Sequence, residues 1–205
     1  MAKPKTKKQK PVVEPMTFNG AVTPIGVDAS WTGLAVTALG DGGVVRLSEV
    51  LSTKPADFPS QAARLESLGS DFMGAIDRSV VASRFDGSRL RLVAIEGYAM
   101  GSKTRPQMAG ELGGHLRLLL WQAGIPYIIV PPTTLKKYVL GKGNAAKELM
   151  LKEVFRRWGY DTSSNDQADA YALARIAAEF AAGGWTKKLE ALAQGFECVP
   201  AKGVG

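Results

Sequence analysis

Cysteine and histidine are almost absent from this chain, which has one of each in 205 residues. The single thiol, Cys198, forms no intramolecular disulfide. With no Cys-x-x-Cys pair and no Cys/His cluster, the sequence offers neither a disulfide scaffold nor a zinc site. That usage suits a reducing compartment, and the expected location is the cytoplasm. Long apolar runs are missing too. The stretch Tyr127–Val130, followed by Pro131 and Pro132, is far shorter than the ~20 residues a membrane-spanning helix needs, and no apolar signal-peptide core follows the first residues. No membrane partner is expected.

What is present suffices for one globular core: 45% hydrophobic and 22% charged side chains over this length exclude wholesale disorder, collagen-like repeats and a coiled-coil rod. The charge is one-sided, with 26 Lys and Arg against 19 Asp and Glu, a net +7. A polyanionic partner follows as the first expectation. Five of the lysines, Lys3, Lys5, Lys7, Lys8 and Lys10, lie among prolines in a start without apolar periodicity. Residues 1–22 therefore read as a disordered basic arm, either a phosphate-attracting extension or a merely solvated tail.

From Thr23 the pattern changes to three short β-prone runs, TPIGVDAS, GLAVTALG and GVVRLSEVLS, the last two separated by Asp41-Gly42, a hairpin-turn pair. Residues 58–82 carry Ala62, Leu65, Leu68, Phe72, Ala75, Ile76 and Val80 at helical spacing. A fourth strand runs from Leu90 to Ile95 and ends abruptly at Glu96-Gly97, and a polar loop with Lys103 and Arg105 leads into a helix over 106–123. IPYIIVPP supplies a fifth strand, stopped by its prolines. A short turn at 134–139, a glycine loop, a helix ending near Trp158 and a last helix over 165–182 complete the expected order, strand-strand-strand-helix-strand-helix-strand-helix-helix. That order predicts an α/β domain over 23–182, with a five-stranded mixed sheet flanked by helices. Residues 183–205 are a poorly patterned C-terminal tail.

Four acids stand where a scaffold gains little from them. Asp28 interrupts an apolar strand, Glu96 ends another, and Asp166 and Asp169 open the last helix, three residues apart and so on one face. Taken singly, Asp28 and Glu96 also read as ordinary strand ends, and Asp166 as a helix cap or a first-turn acid. Taken together, carboxylates converging from two strands and a helix repel one another unless a cation joins them, and an all-oxygen set suits Mg²⁺. Two such ions activate a water and stabilise the leaving oxygen in displacement at phosphorus, which reconciles an acidic cluster with a basic protein.

The blocks IGVDAS at 25–30, VAIEGYAMG at 93–101, LKKYVLGKGNAAKELM at 135–150 and NDQADAYALA at 165–174 resemble, in order, the motifs of the RuvC family of Holliday-junction resolvases. The resemblance spans about residues 23–182 and implies a ribonuclease H-like fold. It further implies a homodimeric endonuclease that makes two symmetric nicks in four-way DNA, with two Mg²⁺ per active site for which Mn²⁺ can substitute. The family's metal-binding acids fall on Asp28, Glu96, Asp166 and Asp169. Its lysines near the scissile phosphate fall on Lys136 and Lys147, so Lys147 joins the expected catalytic set. Where the cellular enzymes carry an aromatic residue three places after the glutamate, this chain has Ala99, with Tyr98 one place earlier.

The expected DNA-binding set is Tyr98, Lys103, Arg105, Lys136, Lys137, Lys142 and Lys147. The last four belong to a run of seven basic residues, completed by Lys152, Arg156 and Arg157, set against Glu148 and Glu153. Alone this is a solvated helix face; beside a metal motif it reads as a phosphate-binding rim. Lys147 is followed by Glu148 rather than Ser or Thr, so this is no Walker A loop and no nucleotide cofactor is expected. His115 reads as a packing or surface residue rather than a catalytic base, and the four tryptophans as core or interface residues. The resemblance implies that the helix over 106–123, with Gly110, Gly113 and Gly114, forms much of a dimer interface; read alone, its glycines serve equally for packing within one chain. Three other readings stand beside junction resolution. They are a general branched-DNA or flap nuclease, a non-catalytic DNA-binding module, and an actin-like phosphotransferase, whose second half does not fit in this length.

Overall fold

The computed structural model describes residues 16, 18, 20–30, 33–82, 90–97, 106–143, 148–183, 191–193 and 196–202. Its strands are β1 (Val22–Ser30), β2 (Gly33–Leu39), β3 (Val45–Ser52), β4 (Leu90–Glu96), β5 (Tyr127–Val130) and β6 (Glu197–Val199). Its helices are α1 (Gln61–Ala82), α2 (Pro106–Gln122), α3 (Pro132–Leu140), α4 (Glu148–Trp158) and α5 (Asn165–Ala181). They form one mixed sheet in the order β3-β2-β1-β4-β5-β6. The first three strands are an antiparallel meander, β4 and β5 run parallel to β1, and β6 is antiparallel to β5.

The sheet separates two apolar layers because successive strand residues face opposite sides. Ile25 and Val27 of β1, with Val93 and Ile95 of β4, pack with Leu68, Phe72 and Ile76 of α1 and Leu112, Leu116 and Leu120 of α2. On the other side Leu92, Ala94 and Ile128 meet α3, α4 and α5 through Tyr138, Val154, Tyr171, Leu173 and Phe180. His115 is a packing residue, its Nε2 lying only 2.4 Å from where a Cβ on Gly69 would stand. Among the described residues no helix is long and apolar enough to cross a membrane.

The expected α/β architecture is present, with three corrections. The sheet has six strands, not five: β6 lies in the stretch read as a tail, and at three residues it is too short to show a period of two. Ala193 and Phe196 bury beside it, and Met16 and Phe18, near the end of the stretch read as an arm, also pack on this core. The short turn expected at 134–139 is a full helix, because Pro132 occupies a first-turn position, where its missing N–H costs nothing. The two-residue hairpin turn at Asp41-Gly42 is a one-turn 3-10 segment, Asp41–Gly43, with φ of +67° at Gly42 and +81° at Gly43.

Candidate active site

Asp28 and Glu96 occupy neighbouring positions at the carboxyl ends of two parallel strands. The β1/β4 ladder pairs Val22 with Leu90 and runs in step to Val27 with Ile95, so the next residue on each strand is a carboxylate. Asp28 shares the sheet face of Gly26 and is 6% exposed in the centre of the sheet. In open α/β sheets such strand ends are where ligands bind.

The last helix reaches the same place because Gly26 lets it. A Cβ at Gly26 would lie 1.9 Å from the Ala170 carbonyl oxygen and 2.3 Å from the Ala174 nitrogen, so α5 rests directly on the backbone of β1. Further along α5, Arg175 lies against Gly43, in the turn at the opposite end of the sheet. The helix therefore runs antiparallel to β1, and its N-terminal end, with Asp166 in the first turn and Asp169 just after it, lies over the end where Asp28 and Glu96 stand. Asp169 is 9% exposed. Ser164 caps the helix, its Oγ accepting from the Gln167 N–H at 3.3 Å, and Asp166 in the first turn complements the helix dipole.

The convergence is regional rather than complete. Among the described residues no group of three or more His, Cys, Asp or Glu side chains is spaced to hold one metal ion. Glu96 also borders a small depression on the α2 side of the sheet, lined by Ile95, Gly97, Gly113, Arg117 and Ile129. Mutual repulsion of carboxylates and the nearby Arg117 guanidinium both favour such a spread.

The helix α3, which carries Lys136 and Lys137, begins at the same end. Val130 pairs with Glu96, the Gly97 N–H donates to the Val130 carbonyl at 2.8 Å, and α3 begins two residues later. Gly141, with φ +76°, ends α3 in a left-handed cap whose N–H donates to the Lys137 carbonyl. The chain then folds back, so that a Cβ on Gly143 would lie 3.1 Å from both Lys137 Cε and the Thr133 carbonyl oxygen. Lys137 and Lys142 are exposed and Lys136 is half-buried. Arg157 holds the end of α3 by donating to the Tyr138 and Val139 carbonyls at 2.7 and 2.9 Å, while its guanidinium lies 4.4 Å from the centre of the Trp158 ring. Tyr98, Lys103, Arg105 and Lys147 lie outside the described residues.

No model of a known protein family matches the chain. A crossover junction endodeoxyribonuclease RuvC of Chloroflexus aggregans is 34% identical over 138 residues, which cover 65% of this chain and 78% of that protein. This chain belongs to the RuvC family. RuvC of Thermus thermophilus has a similar structure, with a TM-score of 0.56 and 26% identity over 80% of this chain and 96% of that one. A second structure, T. thermophilus RuvC in complex with Holliday junction substrate, gives 0.58 at 22% identity over 80% and 95%, a likeness of fold. The ribonuclease H-like architecture and the class of crossover junction endodeoxyribonuclease expected from the sequence are thereby established.

In this RuvC-family chain the donor set suits a hard divalent cation. Asp28, Glu96, Asp166 and Asp169 offer only carboxylate oxygens from adjoining elements at one sheet end, and the only histidine packs between α1 and α2. Sequence reading missed Gly26, Arg117 and the partners of Gln167. A glycine inside an apolar strand is itself a signal of close backbone approach, so Gly26 could have been found. Arg117 carries no such signal.

Proposed function

We propose that this chain is a Mg²⁺-dependent endonuclease that resolves four-way DNA junctions by paired symmetric nicks, acting as a homodimer. The observation that carries the reading is the meeting of Asp28 and Glu96 at the β1/β4 end with the first turn of α5, in a chain of the RuvC family. Asp28, Glu96, Asp166 and Asp169 would hold two Mg²⁺, with Mn²⁺ able to substitute. Bound there, the cations would lower the pKa of an attacking water and stabilise the leaving oxygen of the phosphodiester. The burial of Asp28 and Asp169 fixes their carboxylates and excludes bulk water around them.

Substrate binding falls to the basic residues. Lys136, Lys137 and Lys142, gathered by the return of the chain at Gly143, hold phosphates beside the carboxylates, and Lys147 is assigned to the scissile phosphate. Tyr98, Lys103 and Arg105, which follow Glu96 in sequence, are assigned to the junction strands. A relative solved with a Holliday junction substrate supports four-way DNA as the ligand. On α2, Leu118 and Trp121 are 50% and 40% exposed one turn apart, a face suited to a second copy and to the two-fold symmetry of the junction.

The test is cleavage of end-labelled four-way junctions beside duplex, flap and single-stranded controls, in Mg²⁺ and in EDTA. The expected result is Mg²⁺-dependent nicks at symmetric positions on two opposed strands of the four-way substrate alone. Equal cutting of flaps would replace this reading with the general branched-DNA nuclease, for which Ala99 in the family's aromatic position speaks. Binding without cutting would leave the non-catalytic module.

A further inference from the structure

Between Asp166 and Asp169 stands Gln167, and its side chain is bonded at both ends. Its Nε2 donates to Ser48 Oγ of β3 at 3.2 Å, and its Oε1 accepts from Thr162 Oγ1 at 2.8 Å, while its backbone N–H is the group capped by Ser164. Ser48 Oγ is shared further, lying 2.8 Å from Tyr160 Oη and 3.4 Å from Thr37 Oγ1. Tyr160 in turn stacks on Tyr171 of α5, with ring centroids 4.3 Å apart and planes within 6°. The network joins two strands, the loop before α5 and the helix itself.

Its mechanical effect follows from helix geometry. Core packing fixes the body of α5 from Ala168 onward. The residues before it, Asn165, Asp166 and Gln167, are only part-buried, so the first turn depends on bonds of its own to keep its side chains over the strand ends. The Gln167 amide, about a hundred degrees of helical rotation from Asp166 and bonded to β3, supplies one such bond.

We infer that Gln167, held by Ser48, Thr162 and Tyr160, is a positioning residue that sets the orientation of Asp166 and Asp169 and through them the affinity of the site for divalent cations. The inference rests on the proposed metal-dependent function. Residues that orient metal ligands in this way are worth ~10–100-fold in metal affinity or activity. Here the tether acts through the helix backbone, so the lower end of that range is expected.

The test is titration of the full-length protein with Mn²⁺ alone, followed by electron paramagnetic resonance, alongside junction cleavage as a function of Mg²⁺ concentration. Gln167→Met keeps the length of the side chain without its polar ends, and Ser48→Ala removes the shared hydroxyl. Each is expected to weaken Mn²⁺ binding ~10-fold and to move the cleavage curve to higher Mg²⁺ by the same factor. Junction binding in EDTA should stay unchanged, and Ser48→Thr, which keeps the hydroxyl, should stay within about twofold of wild type. Should Gln167→Met fail to fold, Tyr160→Phe loosens Ser48 while retaining the ring stack and is expected to shift both curves the same way. Unaltered Mn²⁺ binding and Mg²⁺ dependence in folded variants would overturn the positioning role alone. A wild-type protein that neither binds Mn²⁺ nor cuts junctions would overturn the metal-dependent function, and this role with it.

Discussion

Asp28→Asn is expected to abolish junction cleavage while leaving the fold and junction binding in EDTA intact. The side chain keeps its shape, so the apolar surroundings in β1 are undisturbed, and what is lost is one negative oxygen donor in the centre of the site. Changes that only reorient ligands cost ~10–100-fold, and loss of a ligand itself must exceed that. The same substitution relieves repulsion among the carboxylates gathered at this sheet end, so the metal-free protein should melt no lower than wild type. Single-turnover cleavage, a gel-shift titration in EDTA and a thermal melt check the three parts. Loss of EDTA binding along with cleavage would make Asp28 a DNA contact instead, and residual cleavage within tenfold of wild type would remove it from the metal set.

Gly26→Ala is expected to destabilise the protein strongly. The new Cβ meets the backbone of Ala170 and Ala174, which has no flexible end to swing away, so α5 must lift from β1 by about an ångström before ordinary contact is restored. Overpacking of this kind costs ~1–3 kcal/mol and occasionally more, and a backbone obstacle places this case at the upper end. Activity falls as well, because Asp166 and Asp169 travel with the helix, and a misplacement of ~1 Å is worth ~100-fold in rate. Gly74→Ala in α1 is the control. There the new methyl meets only the end of the flexible Arg78 side chain at 3.2 Å, and the substitution should be neutral or stabilise by up to ~1 kcal/mol. Urea unfolding of both variants decides the matter, and equal stability of Gly26→Ala and wild type would refute the direct contact of α5 with β1.

The candidate metal-binding acids were legible because each departs from its local pattern. Asp28 breaks an apolar strand, Glu96 stops one, and Asp169 sits among alanines where a helix would bury an apolar side chain. The framework holding them was harder to see. Gln167 contacts Ser48 across 119 positions of sequence, and nothing local to either residue announces the other. Pro131 and Pro132 end a strand, but a proline in the first turn also opens a helix, and that second meaning produces α3. A three-residue edge strand such as β6 is specified by its neighbour β5 rather than by its own alternation. The approach of α5 to β1 had a sequence trace in Gly26, but which helix would fill the gap is a tertiary fact.

The central claim, that Asp28, Glu96 and the first turn of α5 together hold the catalytic cations, is tested most directly by anomalous diffraction from crystals of the protein soaked in Mn²⁺. The expected result is density between Asp28 and the α5 carboxylates, within ligating distance of at least one oxygen from each, with a Glu96 oxygen also reaching the ion. Mn²⁺ bound elsewhere, or Asp28 and Asp169 left without it at saturating concentration, would contradict the account.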